Sequence, residues 1–469
     1  MKFSVIVAHD SNHGIGFNNE IQWNIPEDME FFKKTTLGGP ESNNAVVMGR
    51  KTWESIPLKS RPLKNRLNVV LTRSESFQVS ESPEVVMYNS VDSCIKGLSK
   101  DHKELEEVFI IGGSDIYRQF LESPVVTTVY ATEIQSDEEL RADKFFPKME
   151  EFPSFTQLES SKIMTSSNHP MRYKFVKYES DNMEERQYLD MCENIIDTGY
   201  SKSDRTGTGT FSMFGKTMRF SLRGGVMPLM TTKRVFWRGV MEELLFFISG
   251  VTDTNILSDK GVRIWEGNTS REFLDSRGLT EYKVGEFGKM YGFEWRHWGA
   301  EYKGSSHDYS GEGIDQLQNC IDMIKNDPDS RRVIMSAWNP SDLPESVLPP
   351  CHYSVQFACY GDELSMIVTM RSVDIGLGFP FNVASYSLLL HMVCQITDKE
   401  PGDIVFNTGD CHVYKNHVDG LKEQISREPR EFPIIKLNES IGNIDDFKAS
   451  DIELVGYYPH DSIKLKMAI

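Results

Sequence analysis

Over its first 134 residues the chain repeats one rhythm. Short β-branched runs, "FSVIVA" (3–8), "NAVVMG" (44–49), "LNVVLT" (67–72), "EVVMY" (84–88), "EVFIIGG" (107–113) and "TTVYATEI" (127–134), alternate with stretches of which several have helical spacing. Runs this apolar, without polar alternation, suit a sheet covered on both faces, and the intervening helices supply the cover. The rhythm predicts an α/β domain with a mostly parallel central sheet. Two later runs between 155 and 178 predict a closing antiparallel pair.

The rhythm stops at a short polar stretch, "SDNME" (180–184), after which a new helical pattern begins. A chain of 469 residues exceeds one ordinary core. We therefore expect a domain over 1–179, a linker over 180–184 and a second domain over 185–469. The second part has long amphipathic stretches (236–249, 313–326, 383–397) and strand-like runs but no repeated strand–helix order, which predicts an α+β fold.

Bulk properties exclude several function classes. The net charge of −18 argues against nucleic acid as the main partner, yet local arginine clusters can still bind small anions. The apolar run at the N-terminus is five residues long, too short for a signal-peptide core, and no stretch has the length of a membrane span. Seven cysteines with no C-x-x-C pair fit a reducing compartment, so a cytoplasmic location and no metal are expected.

In "IQWNIPEDMEFFKK" (21–34), Pro26 suits a first helical turn, and Asp28 and Phe32 share one face. Such an acid can simply complement the helix dipole. "VVMGRKTWESIP" (46–57) ends a strand at a glycine, and Arg50, Lys51 and Thr52 open a helix able to receive phosphate. "VVLTRS" (69–74) and "FIIGGSDIY" (109–117) end two further strands with Thr72, Arg73 and a Gly-Gly turn. Each piece alone is weak; together they make a dinucleotide site credible.

These segments, with "GIGFNNEIQWNIPEDMEFFK", "RPLKNRLNVVLTR" and "VYATEI", stand in the order and spacing of the dihydrofolate reductase family, which residues 1–179 resemble throughout. The resemblance implies NADPH-dependent reduction of dihydrofolate. Asp28, with Thr132, would hydrogen-bond the pteridine and promote its protonation. Ile6, Val7, Trp23, Phe32 and Ile56 would line the folate pocket and Arg66 would clamp the glutamate tail. Ile15, Gly16, Gly49, Arg50, Lys51, Thr52, Thr72, Arg73, Gly112, Gly113, Ser114, Asp115, Ile116 and Tyr117 would form the NADPH site.

In the second part, "LPPCHYSVQF" (348–357) places Cys351 behind two prolines. Alone, it reads as a buried small hydrophobe. "SDRTGTGTFSMFG" (203–215) is a loop with one arginine, "DSRRVIMSAWNPSD" (329–342) has two arginines leading a strand, and "MRSVDIGLGFPFNVASY" (370–386) has Arg371 and Ser372 at a strand end with Asn382 opening a helix. Isolated, an Arg-Arg is most simply a solvated pair; four arginines at turns and strand ends suit a phosphate cage. "GDCHVYKNH" (409–417) puts His412 and Tyr414 on one side of an extended chain, and its spacings match no zinc pattern.

With "EELLFFISG", "RIWEGN" and "YGFEWRHWG", these motifs resemble the thymidylate synthase family over 185–469. The whole chain thus resembles the fused reductase–synthase family of protists and plants. The resemblance implies that Cys351 adds to C6 of dUMP, whose C5 takes a carbon and a hydride from 5,10-methylenetetrahydrofolate, giving dTMP and dihydrofolate. Arg205, Arg371 and Ser372 would bind the dUMP phosphate, with Arg331 and Arg332 donated by the second subunit of a homodimer. Asn382 would read the uracil edge, and His412 and Tyr414 the ribose. Glu243 and Tyr291 would organise proton transfer, Asp374 and Trp265 would contact the folate, and Ile469 would close over both ligands. Met370 and Val373 depart from the family pattern beside Arg371. A non-catalytic scaffold would have lost Cys351, Glu243 or Asp28, and all three are present.

Overall fold

The computed structural model describes residues 1–74, 77, 85–123, 125–136, 140–152, 155–167, 170–180, 183–204 and 207–466. Among them the chain divides into two compact units, Met1–Asn182 and Met183–Ile469. The strand Arg172–Ser180 ends the first unit and the helix Met183–Thr198 opens the second, so the helix begins ahead of the expected start at 185.

A nine-stranded sheet organises the first unit. Lys2–Asp10 runs parallel to both Glu107–Ile110 and Val126–Gln135. Ala45–Gly49 lies parallel between Glu107–Ile110 and Leu67–Leu71, and Val85–Tyr88 extends the parallel set. The expected antiparallel closure is present: Arg172–Ser180 pairs with Val126–Gln135 on one side and Phe155–Ser160 on the other. Residues 45–48 are completely buried, as a strand covered on both faces requires.

Three strand ends meet as a consequence of this order. Ala45–Gly49, Leu67–Leu71 and Glu107–Ile110 are parallel neighbours, so the segments that follow them leave the same edge of the sheet. That edge is where open α/β sheets bind ligands.

In the second unit a six-stranded sheet runs in the order 200–202, 210–221, 400–414, 363–374, 352–360, 334–336. Glu363–Asp374 buries residues 364, 366, 368 and 370, while 365, 367, 369 and 371 point away from the core. The helix Gly378–Thr397 is buried on nearly every side and packs on this sheet beside Trp237–Ile248. Its start corrects one expectation. Pro380 lies in the first turn, so Asn382 sits inside the helix and does not open it. The glycine- and threonine-rich loop is also shorter than expected, because a strand begins at Thr210. Among the described residues no helix is long and apolar enough to cross a membrane.

The first helix of this unit is held by one buried carboxylate. Glu185 accepts from the Thr231 N–H at 2.9 Å and hydroxyl at 2.6 Å, and from the Thr232 N–H at 2.8 Å and hydroxyl at 2.7 Å. Glu185→Ala would leave these buried donors without an acceptor and is expected to destabilise the second unit by about 3 kcal/mol or more. Urea denaturation, with the two units followed separately, checks this; an unmoved transition of the second unit would refute it.

Candidate active sites

In the first unit, Pro26 fixes the start of the helix Pro26–Leu37 and thereby puts Asp28 in its first turn. Asp28 is buried, and the Thr132 hydroxyl on the neighbouring strand hydrogen-bonds its carboxyl. Burial pushes the Asp28 pKa up, and the Thr132 bond only partly opposes it. Ile6, Phe32 and Ile56 share one apolar cluster, and Trp23 packs on another with Ile25 and Ala8. Val7 is buried in the strand that carries Ile6. Arg66 donates to the Thr36 hydroxyl at 2.6 Å and the Lys64 carbonyl at 3.2 Å. No described carboxylate pairs with it.

The strand ends bring together most of the dinucleotide candidates. The Gly49 N–H donates to the Gly112 carbonyl at 2.8 Å, joining two neighbouring turns. Gly112 has φ +110°, and a Cβ there would lie 2.9 Å from the Tyr117 ring. A Cβ on Gly49 would come within 3.1 Å of Ile116. Neither the helix after Gly49 nor the one after Gly113 has a side-chain cap, so the backbone N–H groups of both first turns are free to meet an anion. Arg50 pairs loosely with Glu54 at 3.9 Å; Lys51 and Arg73 are exposed. Thr52 and Thr72 are half-buried, and the Thr72 hydroxyl accepts from the Ser74 N–H. Ser114 accepts from the Phe145 N–H, Asp115 is exposed, and Ile15 and Gly16 lie on a short strand paired with Lys144–Phe145. Tyr117 is buried and donates its hydroxyl to the Ile6 carbonyl at 2.9 Å, linking this wall to the apolar pocket.

In the second unit Cys351 immediately precedes the strand His352–Tyr360, and its position is set by Arg371 on the adjacent strand. The Arg371 backbone N–H donates to the Cys351 carbonyl at 2.8 Å. Its guanidinium donates to the carbonyls of Pro350 at 2.9 Å and Pro349 at 2.7 Å, and lies 3.4 Å from the Cys351 sulfur. The Trp338 ring stacks under it with the cation 5.9 Å from its centroid. None of these partners is a carboxylate, so the guanidinium's charge is not neutralised.

Burial pushes the Cys351 thiol up and Arg371 pulls it down, with burial the larger effect. Arg331 and Arg332 are exposed at the start of the edge strand Ile334–Ser336, and Arg205 lies outside the described residues, as does Ile469. His352 cannot serve as a base. Its Nδ1 lies 2.5 Å from the Tyr386 hydroxyl, its ring stacks on Tyr291 at 4.1 Å, and burial pushes it down to about 3.

Glu243 is buried on the helix Trp237–Ile248, and the Trp265 indole N–H donates to it at 2.8 Å. Burial, opposed only by that bond, pushes Glu243 up to about 7. The Tyr291 hydroxyl accepts the Cys351 N–H at 3.0 Å. Tyr291 has φ +34° and is followed by Gly292, where a Cβ would lie 2.4 Å from the Phe247 carbonyl oxygen. Only glycine allows the two helices to approach this closely.

The remaining candidates leave the same end of the sheet. Ser372 pairs in register with Asp410, Asp374 with His412, and Thr210 with Tyr414. His412 Nδ1 donates to Asp410 at 3.1 Å, which makes Nε2 the acceptor in the neutral ring. Asp374 accepts from the Gly376 N–H at 2.9 Å, and Asn382 is half-exposed one turn beyond Gly378. Met370 and Val373, the two departures, are both buried in the core. Sequence reasoning missed Tyr386, Trp338 and the two proline carbonyls. Only the prolines left a trace, as the rigid dipeptide before the cysteine.

The comparisons agree with this geometry. The dihydrofolate reductase family model matches residues 2–180 and the thymidylate synthase family model residues 186–469. A bifunctional dihydrofolate reductase-thymidylate synthase of Zea mays is 47% identical over 100% of this chain and 97% of its own length. A second, from Arabidopsis thaliana, is 48% identical over 100% and 96%, and one from Leishmania major 44% over 100% and 95%. This chain belongs to the bifunctional dihydrofolate reductase–thymidylate synthase family. It is an enzyme with both activities, an oxidoreductase and a methyltransferase of folate and nucleotide metabolism.

Two outcomes follow for the isolated groups. Arg371→Ala should slow iodoacetamide alkylation of Cys351 at neutral pH by about tenfold, because the thiol loses its one cation; peptide mass spectrometry reads the rate, and an unchanged rate would refute it. A carboxyl whose folded pKa exceeds its unfolded value of about 4 costs stability above that pH and not below it. Asp28→Asn is therefore expected to raise the urea midpoint of the first unit at pH 8 and to leave it nearly unchanged at pH 4. Equal shifts at both pH values would contradict the burial argument.

Proposed function

We propose that the two sites work as one cycle, with Cys351 as nucleophile of the synthase and Asp28 as proton donor of the reductase. The observation that carries the first role is an Arg371 guanidinium with no carboxylate partner among the described residues, 3.4 Å from the Cys351 sulfur. Arg371, Ser372 and Arg205 hold the dUMP phosphate, so the anion sits beside the thiol. The Cys351 thiolate forms a bond to C6 of the pyrimidine and the electron pair moves to C5. Glu243, titrating near neutrality, takes up and returns protons at the pyrimidine with Tyr291 alongside. Asn382 reads the uracil edge, and His412 Nε2 and Tyr414 meet the ribose hydroxyl. Asp374 and Trp265 position the folate, which supplies a one-carbon unit and a hydride when bound, and Ile469 covers both ligands.

In the reductase unit NADPH supplies the hydride when bound. Its phosphates fit the uncapped helix starts after Gly49 and Gly113, with Lys51, Thr52 and Arg73 nearby, and the cradle that a Cβ at Gly49 or Gly112 would fill. Asp28 holds a proton that a solvated carboxyl would lose and directs it to the pteridine with Thr132. Arg66 pairs with the substrate's carboxylate tail.

The protein acts as a homodimer through the open face of the synthase sheet. Ile334 and Ile367 stand on that sheet, 48% and 38% exposed. Arg331 and Arg332 lead its edge strand, exposed and with no described ion pair, which supports the reading that they reach the phosphate in a second copy. Their charge supplies what Arg371 alone does not, the remaining pull on the Cys351 thiol. Seven free cysteines suit a cytoplasmic setting.

The test separates the two activities within one chain. Cys351→Ala is expected to abolish dTMP formation and leave NADPH-dependent dihydrofolate reduction intact. Asp28→Asn should do the reverse, with reduction falling by about a hundredfold or more. Absorbance assays of each purified variant check both. Loss of both activities from either substitution, with folding intact, would sink the assignment.

A further inference from the structure

One buried histidine has no part in the steps above yet contacts residues assigned to both synthase ligands. His417 is completely buried between the strand Glu400–Tyr414 and the helix Val418–Ile425. Its Nε2 lies 2.7 Å from the backbone carbonyl oxygen of Lys466. A carbonyl only accepts, so Nε2 carries a proton. Nδ1 is buried without a hydrogen-bond partner and faces Asp374 Oδ1 at 3.7 Å. The Tyr414 ring meets the imidazole edge-on at 5.5 Å.

The electrostatics define the state of the ring. In the neutral imidazole a lone pair on Nδ1 would face a carboxylate oxygen, whereas a second proton turns that contact into an attraction. Two charged groups face this position: Asp374, and Lys233, whose ammonium donates to the Gly376 carbonyl. Burial and Lys233 oppose the second proton, Asp374 and the Lys466 carbonyl favour it, and the net direction is upward.

Packing ties the same point to the C-terminal segment. A Cβ on Gly420 would lie 2.7 Å from Leu465 and 3.0 Å from Ile463. A Cβ on Gly376 would lie 3.0 Å from His417 Nδ1 and 3.4 Å from Leu465. Two glycines thus make the space in which residues 463–466 lie against the turn after Asp374.

We infer that His417 is a positioning residue of the synthase, bridging Asp374 and the Lys466 carbonyl so that the segment 463–466 is held against the folate side of the site. This rests on the reading of Asp374 as a folate contact and Tyr414 as a nucleotide contact. The ring couples the two, because the imidazole that holds the segment through Nε2–H also faces the Asp374 carboxylate through Nδ1.

The experiment uses the full chain, with its own dihydrofolate reduction as the check on folding. His417→Ala is expected to raise the KM for 5,10-methylenetetrahydrofolate about tenfold while the KM for dUMP moves less than about threefold. His417→Gln keeps an N–H donor but cannot titrate, so it should recover most of the affinity at neutral pH. A raised histidine pKa means that the attraction between Nδ1–H and Asp374 is present at low pH and lost as pH climbs through that pKa, while the Nε2–H bond to Lys466 remains. The wild-type folate KM should therefore rise along that limb, and the glutamine variant should lack the limb. Amide hydrogen exchange in residues 463–466 should quicken in His417→Ala. Unchanged folate KM and exchange, or an equal rise in both KM values, would overturn the inference. Asp374→Asn separates the premise: if it leaves the folate KM unchanged, the Asp374 assignment fails. If it raises that KM and His417→Ala does not, only the His417 inference fails.

Discussion

Arg371 donates from its backbone to the Cys351 carbonyl and from its guanidinium to the carbonyls of Pro349 and Pro350. Those three acceptors are consecutive, so one side chain and its own backbone fix the whole approach to the cysteine. Proline carries no N–H, and the dipeptide offers the arginine only acceptors. Because Arg371 stands on the strand next to His352–Tyr360, the sulfur is placed by the sheet register itself. The same register carries Ser372, Asp374, His412 and Tyr414 to the same end of the sheet. Every synthase role assigned above depends on this clamp holding the sulfur where the strand ends converge.

The two working carboxyls share a design despite lying in different folds. Asp28 and Glu243 each sit buried on a helix, and each has one neutral donor, the Thr132 hydroxyl or the Trp265 indole. With no cation close by, desolvation decides the direction in both, and both are pushed up. Position on the helix alone does not do this. Glu27, the residue before Asp28, is turned outward and accepts from Ser166 and Ser167, and it is pulled down to about 2. Which side of one helical turn a carboxyl occupies thus separates one pulled down by donors from one pushed up by burial.

Much of this was legible in the sequence because it rests on local rules. Apolar β-branched runs gave the parallel strands, Pro26 fixed the helix that carries Asp28, and the alternation at His412 and Tyr414 placed both on one side of a strand. What was not legible depends on long-range packing. Nothing near Trp265 announces that its indole serves Glu243, since the two are brought together by tertiary structure. The start of the helix at Gly378 was hidden because Phe-Pro-Phe reads as a break, although proline is at home in a first turn. The balance on the Cys351 thiol was hidden for a related reason: sequence shows the arginines but not how deeply the sulfur is buried.

That balance has a consequence for assembly. Burial holds the Cys351 thiol up, and among the described residues Arg371, 3.4 Å from the sulfur, is the cation that opposes it. On the proposed reading, dUMP alone would bring a phosphate dianion beside Arg371 and weaken the guanidinium's pull on the sulfur. On that reading further positive charge would have to arrive with the phosphate, and Arg331 and Arg332 are exposed ahead of the edge strand of the same sheet. The electrostatics of one cysteine then favour a site that becomes reactive only when two copies associate and substrate is bound, so that the nucleophile is activated only when there is a pyrimidine for it to attack.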